Sequence, residues 1–516
     1  FYDAWYRPEN MIVVVVGDVN PQEAEKMLQG AFSGLQGAEP RGQCPDLGKV
    51  RETGTDVLVL PEPELGYTGL ALTTVFNSAP RPDTLDWEME QLRQYLAAAL
   101  LNNRLEQLEQ RPNSPLAQPK AQSGVMLRRF GYATMAARTE SGQWRQGLAL
   151  LRATLTQALR DGFSEAELAR GKREVAALLE KAAQTASTRD SRQLAEDIIR
   201  RLNDDEVLLS PAQEMTLYRP ALEKMGVAEV NATLRKLWSQ SRRLVEVVGA
   251  VAPELAGEQA EALVRQASLD AEGQPVPAWV EDQRAPFPYL NAPSAVGELP
   301  EPILHADIGV TSYQFTGGVR LNVKPTDFQA KQVQLSVQFG RGKQAEPAEG
   351  MALLAEAVIS ESGIGKLSRE QLAEALSGAN VGMEFKVGPE SFAFNGSSLS
   401  NEFELLLQLL HHRLHDPAYR PEGFRRSREN LRRMYEQLTS SAEGVQQVRG
   451  ERFLTGSSPE YGLAEWTDVE KIELGQIRDW LNPVFAQAPL EINVVGDIDP
   501  QRSEERRVGK ECRSRW

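Results

Sequence analysis

The chain carries only four histidines, His305, His411, His412 and His415, so chemistry built on imidazole has few places to be. Three of them share one segment. His411 and His415 stand four residues apart, the spacing at which a helix presents two imidazoles on one face to a shared zinc ion. No nearby glutamate completes a metallopeptidase motif, and Leu405, Leu406, Leu409 and Leu410 give the segment an apolar stripe. The expected arrangement is therefore a polar helix end with imidazoles close to its C-terminal dipole, not a zinc site. Residues 362–367 (SGIGKL) suggest a phosphate loop, but Ser360 stands where that motif needs glycine. Leu367 also follows the lysine, where a magnesium-binding hydroxyl is required. A loop between two helices is expected instead. The carboxylates are scattered, pairs such as Asp204 and Asp205 read as solvated caps, and so few histidines support no Ser-His-Asp or Cys-His arrangement. These residues nominate no catalytic and no metal-binding side chain.

What must position such residues is visible as internal repetition. Residues 12–22 read IVVVVGDVNPQ, 244–253 read LVEVVGAVAP and 492–501 read INVVGDIDPQ. Each is a β-branched run of strand length ending in glycine, with proline four residues on. A tryptophan precedes every copy, at Trp5, Trp238 and Trp480. Gly17, Gly249 and Gly496 lie about 240 residues apart, the spacing of domains rather than of solenoid repeats. Two similar helix openings support the unit. One has Ser164 and Glu167 in capping-box spacing; the other begins at Pro421 and Glu422.

The resulting map is the strand and helix closing one unit at 1–38, a complete unit at 39–255, a Pro/Glu/Ala-rich extended connector at 256–302 and a further unit at 303–501. Strands are expected at 55–60, 69–76, 319–324 and 332–339. Long helices are expected at 85–111, 165–184, 350–360, 369–376, 401–415 and 422–438. Strands and helices cluster without strict alternation, which gives an α+β fold class.

Composition bounds the function. With 25% charged and 41% hydrophobic residues over 516, the chain can bury large cores. A net charge of -15 argues against a nucleic-acid binder, which needs a basic face. Mean hydropathy is -0.40, and no apolar run approaches the roughly 20 residues that cross a bilayer. Two cysteines, Cys44 and Cys512, build no disulfide framework. Residues 1–6 lack the features of a signal peptide. Residues 502–516 abruptly concentrate basic side chains and resemble the in-frame translation of a sequencing adapter, so they are set aside.

Residues 1–21 (FYDAWYRPENMIVVVVGDVNP), 162–168 (GFSEAEL) and 318–328 (GVRLNVKPTDF) resemble recurring stretches of the pitrilysin/insulinase-type zinc metallopeptidases, the inverzincins. Residues 102–115 are similar to the long, single-chain bacterial branch. The resemblance implies tandem two-layer units of the LuxS/metallohydrolase-like kind, with antiparallel sheets packed by helices, closing into a chamber around unfolded peptides. It implies zinc, held by a His-x-x-Glu-His helix and a later glutamate, with the motif's glutamate as general base. This sequence has no such motif. By resemblance Leu353 and Ala357 stand where the histidines would be, Glu356 keeps the base position alone, and Met434 lies near the third ligand position. The first zinc histidine is then expected about 125 residues before Phe1. The chain is thus expected to be an internal fragment of a zinc metalloendopeptidase of the periplasm or cell envelope, inactive and zinc-free alone. It would act on peptides or small unfolded proteins by docking to the absent catalytic and fourth units. The alternative is a non-catalytic homologue that partners an active subunit.

Overall fold

The computed structural model describes residues 5–35, 46–51, 53–111, 113–240, 242–280, 286–290, 300–458 and 461–498. The expectations for Cys44, Cys512 and residues 502–516 lie outside them. The strands are β1 (Gly54–Pro61), β2 (Thr68–Asn77), β3 (Ala117–Met126), β4 (Phe130–Thr139), β5 (Arg242–Gly249), β6 (Ile303–His305), β7 (Val310–Gln314), β8 (Arg320–Pro325), β9 (Gln332–Phe339), β10 (Val381–Val387), β11 (Phe392–Leu399) and β12 (Leu490–Gly496). They form two sheets, ordered β1-β5-β2-β4-β3 and β10-β11-β9-β12-β8-β7-β6. In each sheet one parallel pair, β1 with β5 and β8 with β12, joins an otherwise antiparallel ladder. Helices pack on both, so the fold is α+β.

The repeated glycines explain the shared plan. Gly249 pairs with Pro61 on one side and Thr68 on the other; Gly496 pairs with Pro325 and Val333. Both glycines have positive φ, 110° and 146°, and both accept from the residue after the paired proline, Glu62 N at 2.7 Å and Thr326 N at 2.8 Å. Neither leaves room for a side chain. A Cβ would stand 2.3 Å from the Tyr67 carbonyl oxygen at Gly249, and 2.2 Å from that of Gln332 at Gly496.

Local sequence accounts for the helices that carry each core. Ser164 Oγ accepts from Glu167 N at 3.0 Å while Glu167 Oε2 accepts from Ser164 N at 2.8 Å, starting the helix Glu165–Gln184 as expected. Leu92, Leu96, Leu100 and Leu105 of the helix Leu85–Glu109 are buried in one core with residues of β2, β4 and β5. In the second core, Phe339, Phe385, Phe392, Phe394 and Phe485 pack ring to ring, with centroids 5.0–6.1 Å apart.

Two expectations are corrected. Residues 12–16 form no strand among the described residues, and Ile12 is 63% exposed. A β-branched run favours the extended conformation, but a strand requires a neighbour's backbone groups. The helix Pro21–Phe32 that follows does form, its end capped by Asn20 Oδ1 accepting from Gln22 N at 3.0 Å. Within the expected extended connector, Ala260–Glu272 is a helix, with Ala260 and Val264 buried in the first core. The apolar spacing of Ala260, Leu263, Val264 and Ala267 outweighs the Glu- and Pro-rich composition around it.

Candidate functional site

Counting the two units built on the two sheets as first and second, the position where the resemblance puts a metal lies on the helix Met351–Glu361 of the second. Leu353 and Ala357 pack against the second hydrophobic core, as does Met434 from the neighbouring helix Pro421–Thr439. Glu356 is committed elsewhere. Its Oε1 accepts from Val387 N at 2.7 Å, and its Oε2 lies 3.7 Å from Lys386 Nζ, so it fastens the end of β10 to the helix. Two aliphatic groups and a thioether offer zinc none of the ligands it prefers, and the one carboxylate already holds backbone; these residues do not fit the metal. Among the described residues no group of three or more His, Cys, Asp or Glu could hold a metal ion.

Beside Met434 a cleft of about 660 Å³ opens between the two units. Its walls are charged and mutually paired. Glu361 receives Arg369 Nη1 at 2.7 Å and Arg426 Nε at 3.1 Å, and Arg426 Nη1 also reaches across to the Gln110 carbonyl at 2.6 Å. Arg432 joins Glu140 of the first unit. From that unit the Arg138 guanidinium stacks 4.1 Å from the Tyr67 ring centroid, and burial holds the Glu109 carboxyl above its ordinary range. Such walls solvate polar chain, and nothing in them forms an activated nucleophile.

The histidines do sit at the C-terminal end of a helix, Phe403–His415, but not all of them face water. His411 and His415 rings lie 4.5 Å apart, but His412 between them is only 1% exposed. Burial, reinforced by the neighbouring imidazoles, pushes His411 down to about 4, so His411 is neutral at pH 7.

The loop at 362–367 is a loop, and its polarity is opposite to a phosphate cradle. Ile359 and Gly363 carbonyls accept from Arg413, and Ser362, Ile364 and Gly365 carbonyls accept from Arg420. The N–H groups of Ile364 and Leu367 bond each other's carbonyls, and those of Gly365 and Lys366 go to the Asp416 carbonyl and to Tyr289 Oη. A loop that turns its carbonyls on two guanidiniums and engages these N–H groups elsewhere is not built as an anion cradle.

Residues 1–175 match the family described as the peptidase M16 inactive domain. A probable zinc protease, PqqL, of Haemophilus influenzae is 22% identical over 468 residues, covering 88% of this chain and 49% of that protein. Its Escherichia coli namesake is 23% identical over 427 residues, covering 80% and 44%. The chain spans about half the length of the curated relatives it matches. Among solved structures, the ferredoxin protease FusC in complex with Arabidopsis ferredoxin superposes with a TM-score of 0.57 at 15% identity, over 99% of this chain and 57% of that one. Pitrilysin gives 0.50 at 14%, over 96% and 52%. Tandem α+β units with antiparallel-rich sheets are the fold this chain shares with these structures. The match over residues 1–175 and the likeness to the PqqL proteins support an insulinase/pitrilysin-type protein.

No helix among the described residues is long and apolar enough to cross a membrane.

Proposed function

We propose that this chain serves a zinc-dependent metalloendopeptidase by forming chamber wall and hinge, and contributes no zinc ligand and no catalytic residue itself. The carrying observation is the fate of the metal-equivalent helix, where Leu353 and Ala357 are core and Glu356 is spent on Val387 N. The charged cleft between the units supports a wall that a hydrated, extended peptide can lie against. Substrates are peptides or small unfolded proteins, and the working compartment is the periplasm or cell envelope, as with the periplasmic PqqL of Escherichia coli. The first unit reaches past 255 to take in the helix Ala260–Glu272, and a zinc-bearing unit is supplied by other sequence.

The test is reconstitution. Residues 1–501 should hold no stoichiometric zinc and cleave no unfolded peptide, and should give zinc-dependent cleavage once a unit carrying His-x-x-Glu-His is added. Cleavage by residues 1–501 alone sinks the proposal. Binding to an active subunit that is already complete would mark a non-catalytic partner instead.

A further inference from the structure

Among the buried titratable groups, His412 has a hydrogen-bond set that fixes its protonation state. Its Nδ1 lies 2.7 Å from the Gln408 carbonyl oxygen, which only accepts, so Nδ1 carries the proton. Its Nε2 receives two backbone donors, Tyr289 N at 3.2 Å and Leu290 N at 3.1 Å, so Nε2 holds the lone pair. Those donors belong to residues 286–290, which lie between the helix Ala260–Glu272 and β6 and thus connect the two units. The rest of this strap closes round the same imidazole. The Phe287 ring lies 4.8 Å from it and the Tyr289 ring 4.5 Å, edge-on. Tyr289 Oη donates to Asp416 Oδ2 at 2.8 Å and accepts from Lys366 N at 3.0 Å.

We propose that His412 is an acid-released clasp: its neutral imidazole holds the 286–290 strap against the second unit, and protonation of Nε2 from solvent ejects the strap. An N–H at Nε2 would face two N–H groups, turning two accepted hydrogen bonds into two repulsions at a buried imidazole. The charged and titratable groups around the imidazole do not rescue its cation. Asp416 favours the cation but is outweighed by burial, and its Oδ2 is engaged by Tyr289 Oη. Lys366 Nζ sits 5.1 Å from the Tyr289 ring and opposes added positive charge, and His411, edge-on at 5.9 Å from His412, is itself neutral and supplies no counter-charge. Arg413 and Arg420 are held by loop carbonyls. Burial accordingly lowers the affinity of His412 for a proton while the strap is docked. The sign follows: docking is complete above the free imidazole value near 6.5 and weakens about tenfold for each pH unit below it.

The test is amide hydrogen exchange at Tyr289 and Leu290 in the full chain, with intrinsic rates taken from a free peptide of the same sequence and Val337 in β9 as internal reference. Protection should be constant from pH 8 to 7 and fall about tenfold per unit below about pH 6.5, with Val337 unchanged. His412→Gln, whose amide oxygen can still accept, should make the protection independent of pH. A flat profile in the wild-type chain, or the same fall in His412→Gln, overturns the clasp. Should that variant not fold, the ring nitrogen shifts of wild-type His412 decide it. The Nδ1–H tautomer at pH 7.5 is expected, and the Nε2–H tautomer overturns the proposal. The clasp does not depend on the peptidase reading.

Discussion

β5 enters its sheet between β1 and β2, and β12 enters between β8 and β9, each parallel to one neighbour and antiparallel to the other. Beneath this common ladder the two units are held together differently. The first packs leucines from the helix Leu85–Glu109 and encloses an ion pair, with Arg104 Nε 2.6 Å from Glu167 Oε1 and Arg104 at 2% exposure. The second packs five phenylalanines, and its Glu356 is tied to backbone near the sheet edge. Backbone constraint set by a glycine is therefore shared, whereas the chemistry of the filling is free to diverge.

The largest expected effect breaks this symmetry. Glu167→Ala should destabilise the first unit by about 3–5 kcal/mol, because it strands the buried Arg104 guanidinium, one of whose nitrogens already lacks a partner, and opens the capping box. Glu356→Ala, which removes one backbone acceptor, should cost the second unit only about 1 kcal/mol. Denaturant melts followed by hydrogen exchange in each unit separate the two; equal losses would erase the contrast. Next, the glycine series tests what is common. Gly249→Ala and Gly496→Ala should each cost about 2–3 kcal/mol in their own unit. Gly17→Ala, where a Cβ would meet nothing within 4 Å, should cost about 1 kcal/mol, from backbone strain alone. The smallest effect lies at the seam. Glu374 meets Arg170 at 2.9 Å and Arg173 at 3.1 Å across the units, so Glu374→Ala should loosen their contact by about 1 kcal/mol, less at high salt. Scattering-derived dimensions at two ionic strengths check it, with both cores unchanged in exchange.

What is legible in the sequence is what local physics determines. β9 alternates apolar and polar residues and can be read to its ends, Gln332–Phe339, and the capping box places Ser164 correctly. The hairpins β3–β4 and β10–β11 cannot be read in this way, since Ala, Gly, Ser and Thr blur the alternation in FGYATMAART even though every second residue is buried. At the candidate site the lack of a metal motif is plain in Leu353 and Ala357. The new employment of Glu356, and of His412 as an acceptor for a distant strap, arises from contacts 31 and 123 residues away in sequence. No local window contains them.

Placing the last strand in the middle of the sheet also orders events during synthesis. β1 meets β5, and β8 meets β12, across separations of about 190 and 170 residues. Until Gly249 or Gly496 has left the ribosome, each sheet exists as two pieces with facing open edges, and only the helices and hairpins can form. A chain stalled just short of either glycine would display two unpaired strand edges at once, the surface through which nascent chains aggregate and quality-control proteases recognise them.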